Sequence, residues 1–465
     1  MKVGLIDPEG INMGLSSGLA YLSAVLHQKG HEVKVIDLNN RRDNVLERIK
    51  SINGFDIIGL SIGSFTLQNS LKIVKDINKG KSLLVAGGPH ITLDGVKFLQ
   101  DNGVFDIGVV GEGESTIIDL SEGKSLADIE GIIYRDSLDI KVNKRRQFLT
   151  NLDSLPFPNY DFFDSLNEKI IRDYPIVTSR GCPYPCNYCS VGSVIGKQWR
   201  ARSPKNVINE LIHAREKYKI ARFQVLDDNF SLSTKRAKDI CQLLIDEKIG
   251  LEWSCPNGVR ADKLDEELLK LMKESGCKSI SIGIESCSQE VFDKINKKEK
   301  LETIFETIST AKKVGLKVTG FLIVGLPGST YDLDKISLQR AKSLKLNMGI
   351  ANLFVPYPGT TFWDIMSHDP EVIFLKHWYE GFHFGPSPVI VFETPNYTKN
   401  ERLKIYFQSN IRLKNYAIFI RNSYSLPQNI LRVLRAIIIY DPLRLPICLV
   451  EISTLVRARK KPKQN

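Results

Sequence analysis

No stretch of the 465-residue chain reaches the roughly 18 consecutive apolar residues that a membrane span requires. The longest runs near the end, 436–440 and 445–450, are cut by Asp441 and Arg444. The opening residues, MKVGLIDPEG, lack the basic and long apolar regions of a secretory leader and read as a short buried strand. Cysteine is sparse: there are eight, and five of them (241, 255, 277, 287 and 448) are scattered. That distribution argues against the disulfide framework of a small secreted protein. A cytoplasmic setting is therefore expected, where thiols stay reduced. Internal repeats and long low-complexity tracts are also lacking.

What is present suits a folded protein of two or three domains. An apolar share of 42% and a charged share of 25% support a core of normal size. The net charge of +11 is unevenly placed, because residues 391–465 hold fourteen Lys or Arg against four Asp or Glu. A positive field confined to that segment suits either a solvated helical face or an anionic partner, such as a membrane surface or a phosphorylated substrate. No nucleic-acid partner is expected.

Periodicity divides the chain. Residues 1–125 alternate strands (3–7, 32–37, 56–61, 82–86, 104–110) with helices (18–29, 66–78), the pattern of a Rossmann-like parallel sheet. Ligands of such sheets sit beyond the C-terminal strand ends, here Pro8, Ser61 to Ser64, Gly87 to His90 and Gly111 to Glu114. Residues 126–168 read as a connector with a hairpin over 132–142 and a proline-broken stretch after Leu155. Residues 169–390 repeat a strand–helix beat six times, which predicts an α/β fold of partial (β/α)6 barrel type with its active site at the C-terminal rim. Residues 391–465 read as a mixed helical, basic C-terminal segment.

Just after the first barrel strand comes Cys182-Pro-Tyr-Pro-Cys186-Asn-Tyr-Cys189. Structural zinc takes four ligands, usually from two paired motifs, and no second pair is present. An iron–sulfur cube normally takes four thiolates. Three leave one iron with an open position, where a cosubstrate's amino and carboxylate groups can bind. By spacing alone, zinc or chance clustering remains the alternative.

The CPYPCNYCS loop, with the aromatic Tyr188 before its third cysteine, resembles the radical S-adenosylmethionine (radical SAM) superfamily. The resemblance implies that Cys182, Cys186 and Cys189 hold a [4Fe–4S] cluster whose open iron binds S-adenosylmethionine and cleaves it to a 5′-deoxyadenosyl radical. It further implies S-adenosylmethionine contacts from Tyr188, from Asp227 and Asp228 after the second strand, and from Asn257 after the third. Glu285 and Ser286 after the fourth strand, and Leu326, Pro327 and Gly328 after the fifth, complete that set. Taken singly, Asp227 and Asp228 also read as a helix cap, Glu285 as a cap or lysine partner, and 325–328 as an ordinary turn.

Residues 1–125 resemble the cobalamin-binding domain that precedes the radical core in one branch of that superfamily. The matching pieces are 18–22, 58–61, 86–90 and 110–114. The resemblance implies cobalamin contacts from Pro8, Gly18, Leu19, Ser61, Ser64, Gly87, Gly88, His90, Gly111 and Glu112. Gly87 and Gly88 would let backbone approach a buried nucleotide tail. No histidine follows an aspartate by two residues, so the DxHxxG cobalt-ligand motif is absent, and His90 reads as a turn residue or tail contact. A dinucleotide site is disfavoured, since Gly111-Glu-Gly113 lacks the third glycine and lies at the domain's end.

The expected function is radical methyl transfer to an unactivated carbon, with methylcobalamin as the methyl source. A cyclisation, oxidation or rearrangement on the same cofactors is the second reading, and a non-enzymatic corrin sensor the third. No general base or nucleophile is nominated. The expected partners are a small-molecule or lipid substrate, an electron donor of flavodoxin or ferredoxin type, and a peripheral membrane contact through the basic C-terminus.

Overall fold

Short apolar pentads rich in Val, Ile and Leu become strands covered on both faces, as parallel sheets require. The first sheet contains β1 (Lys2–Asp7), β2 (Glu32–Asp37), β3 (Ile57–Ser61), β4 (Leu83–Gly87), β5 (Ile107–Val109), β6 (Ile132–Asp136) and β7 (Asp139–Val142). Helices α1 (Ser17–Gln28), α2 (Val45–Lys50), α3 (Leu67–Val74), α4 (Pro89–Asp101) and α5 (Glu114–Ser121) connect its parallel strands. These elements belong to a computed structural model that describes residues 1–10, 14–166, 170–381, 387–419, 426–446 and 448. The basic end at 457–463, read as frayed, lies outside them.

The strand order is β2-β1-β3-β4-β5-β6-β7, with β1 to β5 parallel. The order reverses between β1 and β3, the switch point where doubly wound sheets open a ligand crevice. The hairpin expected at 132–142 forms, and β6 pairs antiparallel with β5, so the first sheet continues into the segment read as a connector. Helix α1 starts where the Ser16 hydroxyl accepts the Leu19 N–H at 3.3 Å.

The second sheet follows the expected beat. Its strands are β8 (Asp173–Ile176), β11 (Arg222–Val225), β12 (Glu252–Val259), β13 (Cys277–Glu285), β14 (Lys317–Val324) and β15 (Met348–Leu353). Their order is β15-β14-β13-β12-β11-β8. Between β8 and β11 lie the two-residue strands β9 (Ser179–Arg180) and β10 (Arg200–Ala201), which pair antiparallel. The helices are α6 (Val191–Val194), α7 (Pro204–Tyr218), α8 (Thr234–Asp246), α9 (Glu266–Glu274), α10 (Gln289–Lys294), α11 (Leu301–Lys313), α12 (Tyr331–Ser343) and α13 (Thr361–Met366). Side-chain caps set several starts: Ser203 for α7, Ser233 for α8, Asp265 for α9 and Thr330 for α12. The C-terminal segment holds α14 (Lys399–Arg412), opened by a Thr398–Glu401 capping box, and α15 (Leu426–Tyr440).

The chain divides into two compact units, Met1–Ile280 with Tyr357–Asp364, and Ser281–Pro356 with Ile365–Asn465. The first sheet, the cysteine loop and the start of the second sheet belong to the first unit. No helix among the described residues is long and apolar enough to cross a membrane.

Candidate functional site

The three clustered thiols sit on one loop, 181–199, whose base is closed by the β9–β10 pairing. Gly181 opens the loop at φ +85°, and a Cβ there would collide with the Gln198 carbonyl oxygen, so only glycine fits. Cys182 N–H donates to Gly196 O at 3.3 Å, and Cys189 N–H to Cys186 O at 3.1 Å. Tyr184, between the first two cysteines, is covered by the Arg260 guanidinium at 3.4 Å from its ring centroid. The Asn187 carbonyl accepts the Phe362 N–H at 3.0 Å.

Cys182, Cys186 and Cys189 are partly exposed, whereas the other five cysteines are buried. Desolvation by the surrounding loop pushes the Cys189 thiol up to about 12. The Asn229 amide donates to Cys182 Sγ at 3.7 Å. Among the described residues no three His, Cys, Asp or Glu side chains are placed to hold a single metal ion. Three soft thiolates spread along one loop fit a cluster, in which each binds its own iron.

Behind this loop the Asp227 carboxylate accepts from Thr178 N, Thr178 Oγ1 and Ser179 Oγ, each at 2.6 Å. It is fully engaged in fixing the end of β8, although burial raises its pKa. Asp228 accepts the Gly181 N–H at 3.0 Å and faces a cavity; burial raises its pKa as well. Asn257 lies within β12 and donates to Leu226 O at 2.8 Å. Tyr188 is half-buried between the second and third cysteines.

That cavity, about 350 Å³, opens at the β1/β3 switch point. Seven residues expected to touch cobalamin line it: Gly18, Leu19, Ser61, Gly87, Gly88, Gly111 and Glu112. Tyr21, Glu114, Arg180 and Asp228 also line it, so the wall is shared between the first sheet and the stretch leading into the cysteine loop. Pro8, Ser64 and His90 are not among its lining residues. The His90 ring is buried, 3.3 Å from Ser64 Oγ and edge-on to Phe98, and burial lowers its pKa to about 4. Gly88 (φ +101°) is required by its own fold, since a Cβ would lie 2.8 Å from Ile62 O. A largely apolar crevice walled by glycines fits a broad planar corrin, and no histidine lines it among the described residues.

The second unit holds the remaining expected residues. Glu285 ends β13 at φ +63°, with Oε1 3.2 Å from Lys297 Nζ. Ser286 is buried and its Oγ accepts the Ser288 N–H at 3.1 Å. The 325–328 turn, containing Leu326, Pro327 and Gly328, is anchored by Asp334, which accepts from Gly325 N at 2.9 Å and Tyr397 OH at 2.7 Å. Arg402 donates to Gly325 O at 2.8 Å. Arg180, Tyr21 and Asn229 were not among the expected contacts, although Tyr21 lies within the matching stretch 18–22. Arg180 adjoins the cysteine motif, but its carboxylate partners lie 66 and 68 residues away, with no local signal to join them.

Comparison with known proteins gives two family matches. Residues 176–337 match the radical SAM superfamily, and residues 13–121 match the B12 binding domain. An uncharacterized methyltransferase of Pyrococcus horikoshii is 33% identical over 358 residues, covering 75% of this chain and 77% of the relative. The cytidylyl-2-hydroxyethylphosphonate methyltransferase of Streptomyces wedmorensis is 28% identical, covering 67% and 68%. Among solved structures, the radical S-adenosylmethionine methyltransferase TsrM from Kitasatospora setae, with tryptophan and a SAM analogue bound, matches with a TM-score of 0.68. That match has 18% identity and covers 80% of this chain and 78% of TsrM, a likeness of fold.

Proposed function

The chain belongs to the radical SAM superfamily, in the branch that carries a B12-binding domain, and from that premise we propose that it is a methyltransferase acting on an unactivated carbon. Its cofactors are a [4Fe–4S] cluster, S-adenosylmethionine and cobalamin. The observation that carries the proposal is the shared cavity, in which the switch point of the first sheet and the approach to the cysteine loop form one wall.

In this reading Cys182, Cys186 and Cys189 hold the cluster, and the glycine-walled crevice holds the corrin. When bound, these groups supply a hydrogen-abstracting carbon radical and a transferable methyl group. The protein's own work is placement. Gly181 and the β9–β10 pair fix the cluster loop, and Asn229 donates to Cys182 sulfur. Asp228 presents a buried carboxyl to the cavity, held by the Gly181 N–H. The S-adenosylmethionine contacts are proposed at Tyr188, Asp228, Asn257, Glu285, Ser286 and the 326–328 turn, with Asp227 acting through the end of β8.

The substrate is proposed to be a small molecule or lipid, and the electron donor a flavodoxin or ferredoxin type protein. We place the enzyme in the cytoplasm, with α15 touching an anionic lipid surface. That helix exposes Leu431, Ile438 and Ile439 beside Arg435.

Anaerobic turnover of the reconstituted enzyme with candidate extracts tests the proposal. A product heavier by one CH₂, formed with 5′-deoxyadenosine and S-adenosylhomocysteine, is expected. A product of unchanged carbon count would favour the ring-forming alternative, an activity named for the anaerobic magnesium-protoporphyrin IX monomethyl ester cyclase of Rubrivivax gelatinosus, which is 25% identical over 377 residues.

A further inference from the structure

The cluster loop and the corrin crevice meet in one ionic junction. Arg180 and Arg200 face each other across β9 and β10, at the base of the 181–199 loop. Both guanidiniums reach the same carboxylate. Arg180 Nη1 lies 2.9 Å from Glu112 Oε1, while Arg200 Nη1 lies 2.8 Å from Oε1 and 2.9 Å from Oε2. The other arm of Arg180 takes Glu114 Oε1 at 2.7 Å. Leu149, from the stretch between the two sheets, donates its N–H to Glu112 at 3.0 Å and accepts Arg200 Nη1 at 2.9 Å.

All four charged side chains are at most 13% exposed, and two positive charges balance two negative ones. Buried ion pairs add little stability over an apolar packing of the same volume, and their best-attested use is to fix registry. The registry here is specific. Glu112, in the loop after β5, Glu114, the first residue of α5, and Arg180 all line the crevice. Arg180 is separated from Cys182 only by Gly181. Burial works to raise the Glu112 pKa, but Arg180 and Arg200 outweigh it and hold the carboxyl below its usual range.

We propose that Glu112, gripped by Arg180 and Arg200, is a positioning latch that couples the corrin crevice to the cluster loop, so that filling either site orders the other. This rests on the functional reading above. Energetic coupling between two sites is reciprocal, so the cluster must raise corrin affinity by the same factor by which corrin raises cluster affinity.

The test is equilibrium binding of hydroxocobalamin, followed by absorbance, to the full chain prepared anaerobically with and without its iron–sulfur cluster. The cluster-loaded wild type is expected to bind about five-fold tighter or more, and that ratio falls to about one in Glu112→Gln. A wild-type ratio of one, or an undiminished ratio in Glu112→Gln, overturns the latch alone. Absence of hydroxocobalamin binding in both wild-type forms overturns the functional reading and the latch with it. If Glu112→Gln does not fold by circular dichroism, Arg180→Lys replaces it, because it keeps the charge and gives up the planar fork. A ratio below wild type then supports the latch, and an equal ratio overturns it.

Discussion

At the scale of single residues, Asn229 is placed to tune the proposed cluster. Its amide donates to Cys182 Sγ, and hydrogen bonds to cluster sulfur raise the reduction potential. Asn229→Leu is expected to lower the potential by on the order of tens of millivolts, read by an EPR-monitored redox titration. His90 gives a prediction on pH. Burial holds its folded-state pKa at about 4, against about 6.5 in the unfolded chain. As the pH falls from 6.5 towards 4, the unfolded chain takes up a proton that the folded chain refuses. Stability that is full above about 6.5 is therefore lost at up to ~1.4 kcal/mol per pH unit through that window. Thermal melts at pH 7 and 5 should show it, and His90→Gln should flatten the difference.

At the scale of elements, the cluster loop depends on the left-handed backbone at Gly181. Gly181→Ala adds about 1–3 kcal/mol of backbone strain as well as a collision with the Gln198 carbonyl oxygen. The variant should retain its far-UV spectrum and lose most of its iron on reconstitution. Such elements were largely legible in the sequence. The strand at 32–37 lies where periodicity placed it, because an apolar run bounded by glycine and charge leaves little choice. The predicted helix at 66–78 is shorter, Leu67–Val74. The placement of Pro8, Ser64 and His90 outside the crevice lining was not legible, because motif position says nothing of which way a side chain turns. The Arg180–Glu112 contact was equally hidden, since it is made only when two distant strand ends converge.

At the scale of the whole molecule, the division of labour follows from two sheets whose strand ends carry the chemistry. Residues 391–465 carry the basic surplus of the chain. If α15 meets anionic lipid, wild type should sediment with phosphatidylglycerol-containing vesicles and release with salt. Replacing both Leu431 and Ile438 with Glu should weaken binding about ten-fold or more, since each substitution removes an exposed apolar side chain that the lipid would cover. Unchanged sedimentation would remove lipid from the account and leave the cofactor chemistry intact.

Everything else depends on the three loop thiols. The most direct measurement compares wild type with the triple variant in which Cys182, Cys186 and Cys189 are alanine, after anaerobic iron–sulfur reconstitution. Wild type should show a reduced-cluster EPR signal that changes on adding S-adenosylmethionine, and should form 5′-deoxyadenosine, while the variant shows neither. A variant that keeps the signal and forms 5′-deoxyadenosine at the wild-type rate would contradict the account.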